Sequence, residues 1–121
     1  MNPKRIERLI PKAIEYIAEQ FVVDGTVPKV YQGYLASFGP AVISSGLLMA
    51  VAFNSDEKKK DNRRVMALMF ALVKEEISVK EATLLDFLKA DDNHRKYHIK
   101  HLVLDANIAA KLAIRTFVLK D

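Results

Sequence analysis

The sequence predicts an all-α fold: a compact helical bundle of five to seven helices with a long C-terminal helix, spanning residues 1–121 as one domain. Three observations lead there. Four glycines and four prolines in 121 residues leave few places for the chain to break. Apolar residues recur at three-and-four spacing through most of the length, the repeat of a helix with one buried face. Half of the residues are apolar and 28% are charged, a balance that can build a core and argues against disorder. No internal repeat, low-complexity segment or domain boundary interrupts this pattern.

In chain order, Ile6, Leu9, Ile10, Ala13, Ile14, Ile17 and Phe21 mark an amphipathic first helix. Pro11 falls inside it, so the helix either kinks there or begins there. "DGTVP" (24–28) is a loop by its turn residues. Residues 30–53, "VYQGYLASFGPAVISSGLLMAVAF", carry no charged side chain. Polar and turn-forming residues interrupt the run, and its continuous apolar part is too short to cross a bilayer, which takes about 20 residues. Two buried helices are expected instead. The first ends near Phe38 and the second starts at Pro40, a residue suited to a first helical turn. Small residues (Ala41, Ser44, Ser45, Gly46, Ala50, Ala52) would let a neighbouring helix come close.

Residues 60–76 place Val65, Met66, Leu68, Met69, Phe70, Leu72 and Val73 nearly all round a helix, with Ala67 and Ala71 on its small side, so this helix should be central. "SVKE" (78–81) has the form of a capping box opening a helix over 78–89, with Ala82, Leu85 and Leu88 on its inner face. "ADDN" (90–93) closes it, and Asp92 or Asn93 can cap the last helix. Residues 94–119 contain no breaker, and Ile99, Leu102, Ala106, Ala109, Ala113 and Phe117 line one stripe, a rod of roughly 40 Å.

The chain has no cysteine, so disulfides, zinc ribbons and thiol nucleophiles are excluded. The charged N-terminus lacks a secretory signal, and a cytoplasmic protein with no membrane partner is expected. Net charge is +4 with a sequence pI of about 9.3, a mild bias toward polyanions. The positive charges gather at 4–12, at 58–64 and at 94–101.

Two constellations are candidates for chemistry. His94, His98 and His101, with Asp91 and Asp105, share one helical face at spacings that suit a divalent metal. Arg95, Lys96 and Lys100 would repel a cation there, so no metal, cofactor or catalytic residue is assigned. No paired carboxylates, glycine-rich phosphate loop or nucleophile elbow is present, and a non-enzyme is expected. The basic clusters are the better lead. Lys58, Lys59, Lys60, Arg63 and Arg64 can follow a phosphate backbone, as can Lys111 and Arg115, four apart on the last helix. Lys4, Arg8 and Lys12 share a face of the first helix. Aromatics do not interleave with these clusters, so base stacking is not suggested.

Tyr31, Tyr34, Leu35 and Pro40 followed by "GLLMAVAF" (46–53) resemble the tyrosine-led segment and glycine-leucine helix of the small subunit of type III-B (Cmr) CRISPR effector complexes. Gly46, Leu47, Ala52 and Phe53 match best. The all-helical pattern, basic charge and a final helix with Asp105-Ala106 ahead of Phe117 are similar too. The chain departs from the family in having no tryptophan, and an equivalent small subunit of another type III subtype fits the same features. The resemblance implies a non-catalytic bundle that self-associates head to tail beside the guide RNA–target RNA duplex. Its other neighbours would be the large polymerase-like subunit and the backbone subunits. Base pairing would then supply specificity, and the protein charge and shape. The RNA-facing residues follow from charge, not from the family. The alternative is a helix-turn-helix DNA-binding regulator, with a recognition helix starting at "NHRK" (93–96). A metal-dependent enzyme using the histidine face ranks below both.

Overall fold

The computed structural model describes residues 1–90 and 96–121. The chain is an all-α bundle: helices occupy 72% of the described residues, and strand among them is confined to two short pieces. The elements are α1 (Pro3–Gln20), β1 (Val27–Pro28), α2 (Val30–Ser45), α3 (Leu47–Phe53), α4 (Lys60–Glu76), α5 (Leu84–Ala90), α6 (Lys96–Ile114) and β2 (Leu119–Lys120). Helix α6 packs against α1, α2 and α4, and α4 also touches α1 and α2. The short α3 and α5 lean on each other and on α2 and α4 respectively.

Side-chain partners fix the directions. Arg5 in α1 meets Asp105 in α6, and the strands that follow these helices pair in parallel, Val27 with Leu119. Helices α1 and α6 therefore run the same way. Arg8 and Lys12 of α1 meet Glu76 and Glu75 at the far end of α4, so α4 runs opposite. Lys29 N–H donates to the Lys120 carbonyl while Leu35 meets Asn107 further back, so α2 also opposes α6.

Helix α1 begins at Asn2, whose side chain accepts from Arg5 N–H. It runs through Pro11, which stands on the solvent side with Glu7, so the carbonyl that the proline leaves without a donor can be met by water. Asp24 and Gly25 both adopt positive φ (51° and 79°), and Val23 and Thr26 exchange backbone hydrogen bonds across that tight turn. The expected loop thus ends in a strand.

The expected break at Gly39-Pro40 does not occur. Pro40 is exposed within α2, like Ala36 one turn earlier, so the bond it forfeits lies toward water. Gly39 serves another purpose: it is buried against α6, and a Cβ there would lie 2.7 Å from Asn107 Oδ1. The helix breaks instead at Gly46, whose φ of 90° suits glycine. Half of the small residues expected to admit a neighbour are outside, with Ser44, Ser45 and Ala52 exposed and only Ala50 buried. Close approach is supplied by Ala106, Ala109, Ala110 and Ala113, all buried in α6.

Helix α4 coincides with its expected bounds and buries the expected Val65, Met66, Leu68, Met69, Phe70, Leu72 and Val73. The capping box at Ser78 is not used. Ile77 and Val79 pack against the core with Ser78 and Lys80 outside, the alternation of an extended segment, and that burial outweighs an early helical turn. Thr83 caps α5 instead, its hydroxyl accepting from Asp86 N–H. Helix α6 is shorter than 94–119: its 19 residues span about 28 Å. Beyond Ile114 the chain turns, with Thr116 and Phe117 N–H donating to the Ala113 and Ile114 carbonyls. Phe117 folds back onto the core and the last residues pair with β1. The capping positions Asp92 and Asn93 lie outside the described residues.

Candidate nucleic-acid interface

The end of α1, the β1–β2 pair, the starts of α2 and α4 and the end of α6 all meet at one end of the bundle. Residues 58–64 open α4 there, and Lys111 and Arg115 lie in and just beyond the last turn of α6. Two basic groups remote in sequence are thus brought to the same end, together with Lys29 and Lys120, whose backbones are hydrogen-bonded. They do not form one strip. Helices α4 and α6 pack on each other, so their exposed sides point apart, Arg63 on one and Arg115 on the other.

Within 58–64 the cations differ in freedom. Lys58, Lys60 and Arg63 are exposed. Lys59 is half-buried, its Nζ 3.0 Å from the centre of the Phe53 ring, a cation–π contact. Arg64 is engaged by the fold. One guanidinium nitrogen donates to Tyr31 Oη at 2.5 Å and the other to the Gln20 carbonyl at the end of α1. Phe21 and Tyr31 stack with ring centres 4.4 Å apart, and the guanidinium lies 5.1 Å and 5.4 Å from them. Helix α1 has no basic residue in its own last turn, so Arg64 brings from α4 the positive charge that its C-terminal carbonyls favour. Tyr31 also donates to Asp61, the acidic residue in the first turn of α4. Burial pushes the Tyr31 phenol above its ordinary range, and the Arg64 charge pulls it partly back.

In the third basic set Arg8 and Lys12 are engaged. Arg8 donates to Glu76 at 2.7 Å, which raises the pKa of its guanidinium, and Lys12 lies 3.6 Å from Glu75. The end of α4 neutralises this side of α1. Asp105 is not available as a metal ligand. It is buried and receives Arg5 Nε and Nη2 at 2.9 Å and 2.6 Å. His94 and Asp91 lie outside the described residues, and among the described residues no group of three His, Cys, Asp or Glu side chains could hold a metal. The start of the proposed recognition helix, 93–95, is likewise outside them. The rest of α6 buries most of its circumference, unlike a helix presented to a DNA groove. No helix among the described residues is long and apolar enough to cross a membrane.

Two features were not read from sequence. Arg64 is a latch between α1, α2 and α4, and nothing in its local sequence points to a partner 44 residues away. Helix α3 is apolar all round yet half outside, with Leu48, Met49, Ala52 and Phe53 exposed and only Ala50 and Val51 buried. The expectation that 30–53 forms two buried core helices holds only for the inner face of α2 (Tyr31, Leu35, Phe38, Gly39 and Val42) and fails for α3. No family model, curated protein or solved structure matches the chain.

Proposed function

We propose that this chain is a non-catalytic small subunit of a type III CRISPR effector complex, of the III-B (Cmr) kind or its equivalent in another type III subtype. In the cytoplasm it would hold the backbone of the guide RNA–target RNA duplex and associate with copies of itself and with the larger subunits. The observation that carries the reading is the convergence of 58–64 with Lys111 and Arg115 at one end of the bundle. The residue likeness around 46–53 supplies the assembly. Lysine and arginine on outward faces suit phosphate contacts, which position a strand without reading its bases. Lys58, Lys59, Lys60 and Arg63 would make those contacts on one side and Lys111 and Arg115 on the other. Arg64 contributes by holding the start of α4 in place, and adds charge to the same neighbourhood.

The test is affinity purification of the tagged chain from its native host under gentle salt, with sequencing of bound RNA and identification of bound proteins. The expected result is guide RNA of repeat–spacer form, with a polymerase-like large subunit. Recovery of one duplex DNA sequence instead would favour the helix-turn-helix reading. Recovery of neither nucleic acid nor effector subunits would overturn the proposal.

A further inference from the structure

Helix α3 presents Leu48, Met49, Ala52 and Phe53 on one side, the i, i+1, i+4, i+5 spacing of a face built to be covered by a helix. The exposures are large for such residues: 49% for Leu48, 68% for Met49 and 64% for Phe53. The face is not flat. A groove of about 380 Å³ runs between it and α5 and α6, lined by Leu47, Leu48, Met49, Leu88 and Lys100. Lys100 is the one charged group among the described residues of that lining. At the other end of α3 the Lys59 ammonium lies on Phe53. Neither lysine is ion-paired with a described residue. The surface is thus an apolar floor held between two cations.

We propose that this surface docks a helical segment of a partner protein, with apolar residues at three-and-four spacing and Asp or Glu flanking them. The apolar side chains would enter the groove and cover Met49 and Phe53, and the carboxylates would meet Lys100 and Lys59. The concavity favours an inserted side chain over a bilayer, and the apolar area beyond the groove favours an extended segment over a small ligand. Lys59 is the one cation shared with the proposed RNA face, and the inference uses none of Lys58, Lys60, Arg63, Lys111 or Arg115.

The test is selection of a display library of random helical 16-mers against the full-length chain, with Met49→Asp/Phe53→Asp and Lys100→Glu as counter-targets. The expected result is enrichment of amphipathic sequences rich in Asp and Glu. Their binding should fall at least about tenfold on either counter-target, as for loss of a central anchor. Met49 and Phe53 are exposed and Lys100 is half-buried, and an unchanged melting temperature checks that each variant is folded. Three results would overturn the proposal: no enrichment above the Met49→Asp/Phe53→Asp background; enriched sequences that are basic or lack helical spacing; or equal binding to Lys100→Glu. Two control arms use the chain alone. Association with phosphatidylcholine–phosphatidylglycerol vesicles, or self-association in sedimentation, that is lost on Met49→Asp would assign the surface to lipid or to a second copy and overturn it too.

Discussion

Helices α3 and α6 are both rich in apolar residues, and they end up in opposite surroundings. Helix α6 is enclosed by three neighbours and takes two polar side chains inside with it, Asp105 and Asn107. Each is satisfied: Asp105 by Arg5, and Asn107 through Nδ2 to the Leu35 carbonyl at 3.0 Å. Helix α3 has no polar side chain to satisfy and leaves Leu48, Met49, Ala52 and Phe53 exposed. Hydropathy alone would rank α3 as the more buried. Burial depends instead on which helix has neighbours, and a buried polar group is tolerated where its partner is in place. The enclosed helix should therefore be sensitive to loss of single partners, and the open helix indifferent to polar substitution.

The largest effect is expected at Arg5→Ala, which leaves the Asp105 carboxylate buried and uncompensated. A loss of about 3 kcal/mol is expected, the low end for such pairs because Arg5 is partly exposed. Chemical denaturation would measure it. Gly39→Ala comes next. The new methyl must displace Asn107 and break its bond to Leu35, for a loss of about 2 kcal/mol. Arg64→Ala should cost about 1 kcal/mol, because its two hydrogen bonds lie near the surface. Met49→Asp should change stability by less than about 0.5 kcal/mol. A loss like that of Gly39→Ala would mean that α3 is buried in the free chain, and the contrast with α6 would fail.

A pH effect should be smaller still. The Tyr31 and Tyr16 phenols are both raised by burial, so the folded form keeps these protons longer than the unfolded chain does. Their contribution to stability is complete below the ordinary tyrosine pKa of about 10 and is lost as pH rises through the folded values. In Arg64→Ala the Tyr31 titration should move further up, because the cation that favours its phenolate is gone. Ultraviolet difference absorbance would follow it.

Much of this was legible in the residues. The apolar spacing of 60–76 delivered α4 with its buried set, and Ile6 to Ile17 delivered the inner face of α1. What local pattern could not supply was the tertiary use of a residue. Pro40 reads as a helix start, yet α2 passes through it because its bare carbonyl can face water. "SVKE" reads as a cap, yet burying Ile77 and Val79 in an extended chain prevails. Asp105 reads as part of a metal-like face, yet it answers to Arg5, 100 residues away. The basic residues of the candidate site were legible as charge. Which of them are free was not, since Arg64, Arg8 and Lys12 are engaged by groups distant in sequence.

The central claim is that the exposed cations at one end of the bundle hold an RNA backbone. Its most direct test is the affinity for a guide–target RNA duplex, followed by fluorescence anisotropy across a range of salt, for the wild-type chain, Lys58→Ala/Lys60→Ala/Arg63→Ala and Lys111→Ala/Arg115→Ala. Binding indifferent to sequence is expected, with a logarithmic salt slope of about −0.9 per phosphate contact if the duplex behaves as B-DNA does. The slope should flatten by roughly 2 to 3 in the triple variant, if each lost cation removes one such contact. Equal affinity and an unchanged slope in both variants, or no binding by the wild-type chain at low salt, would contradict the claim.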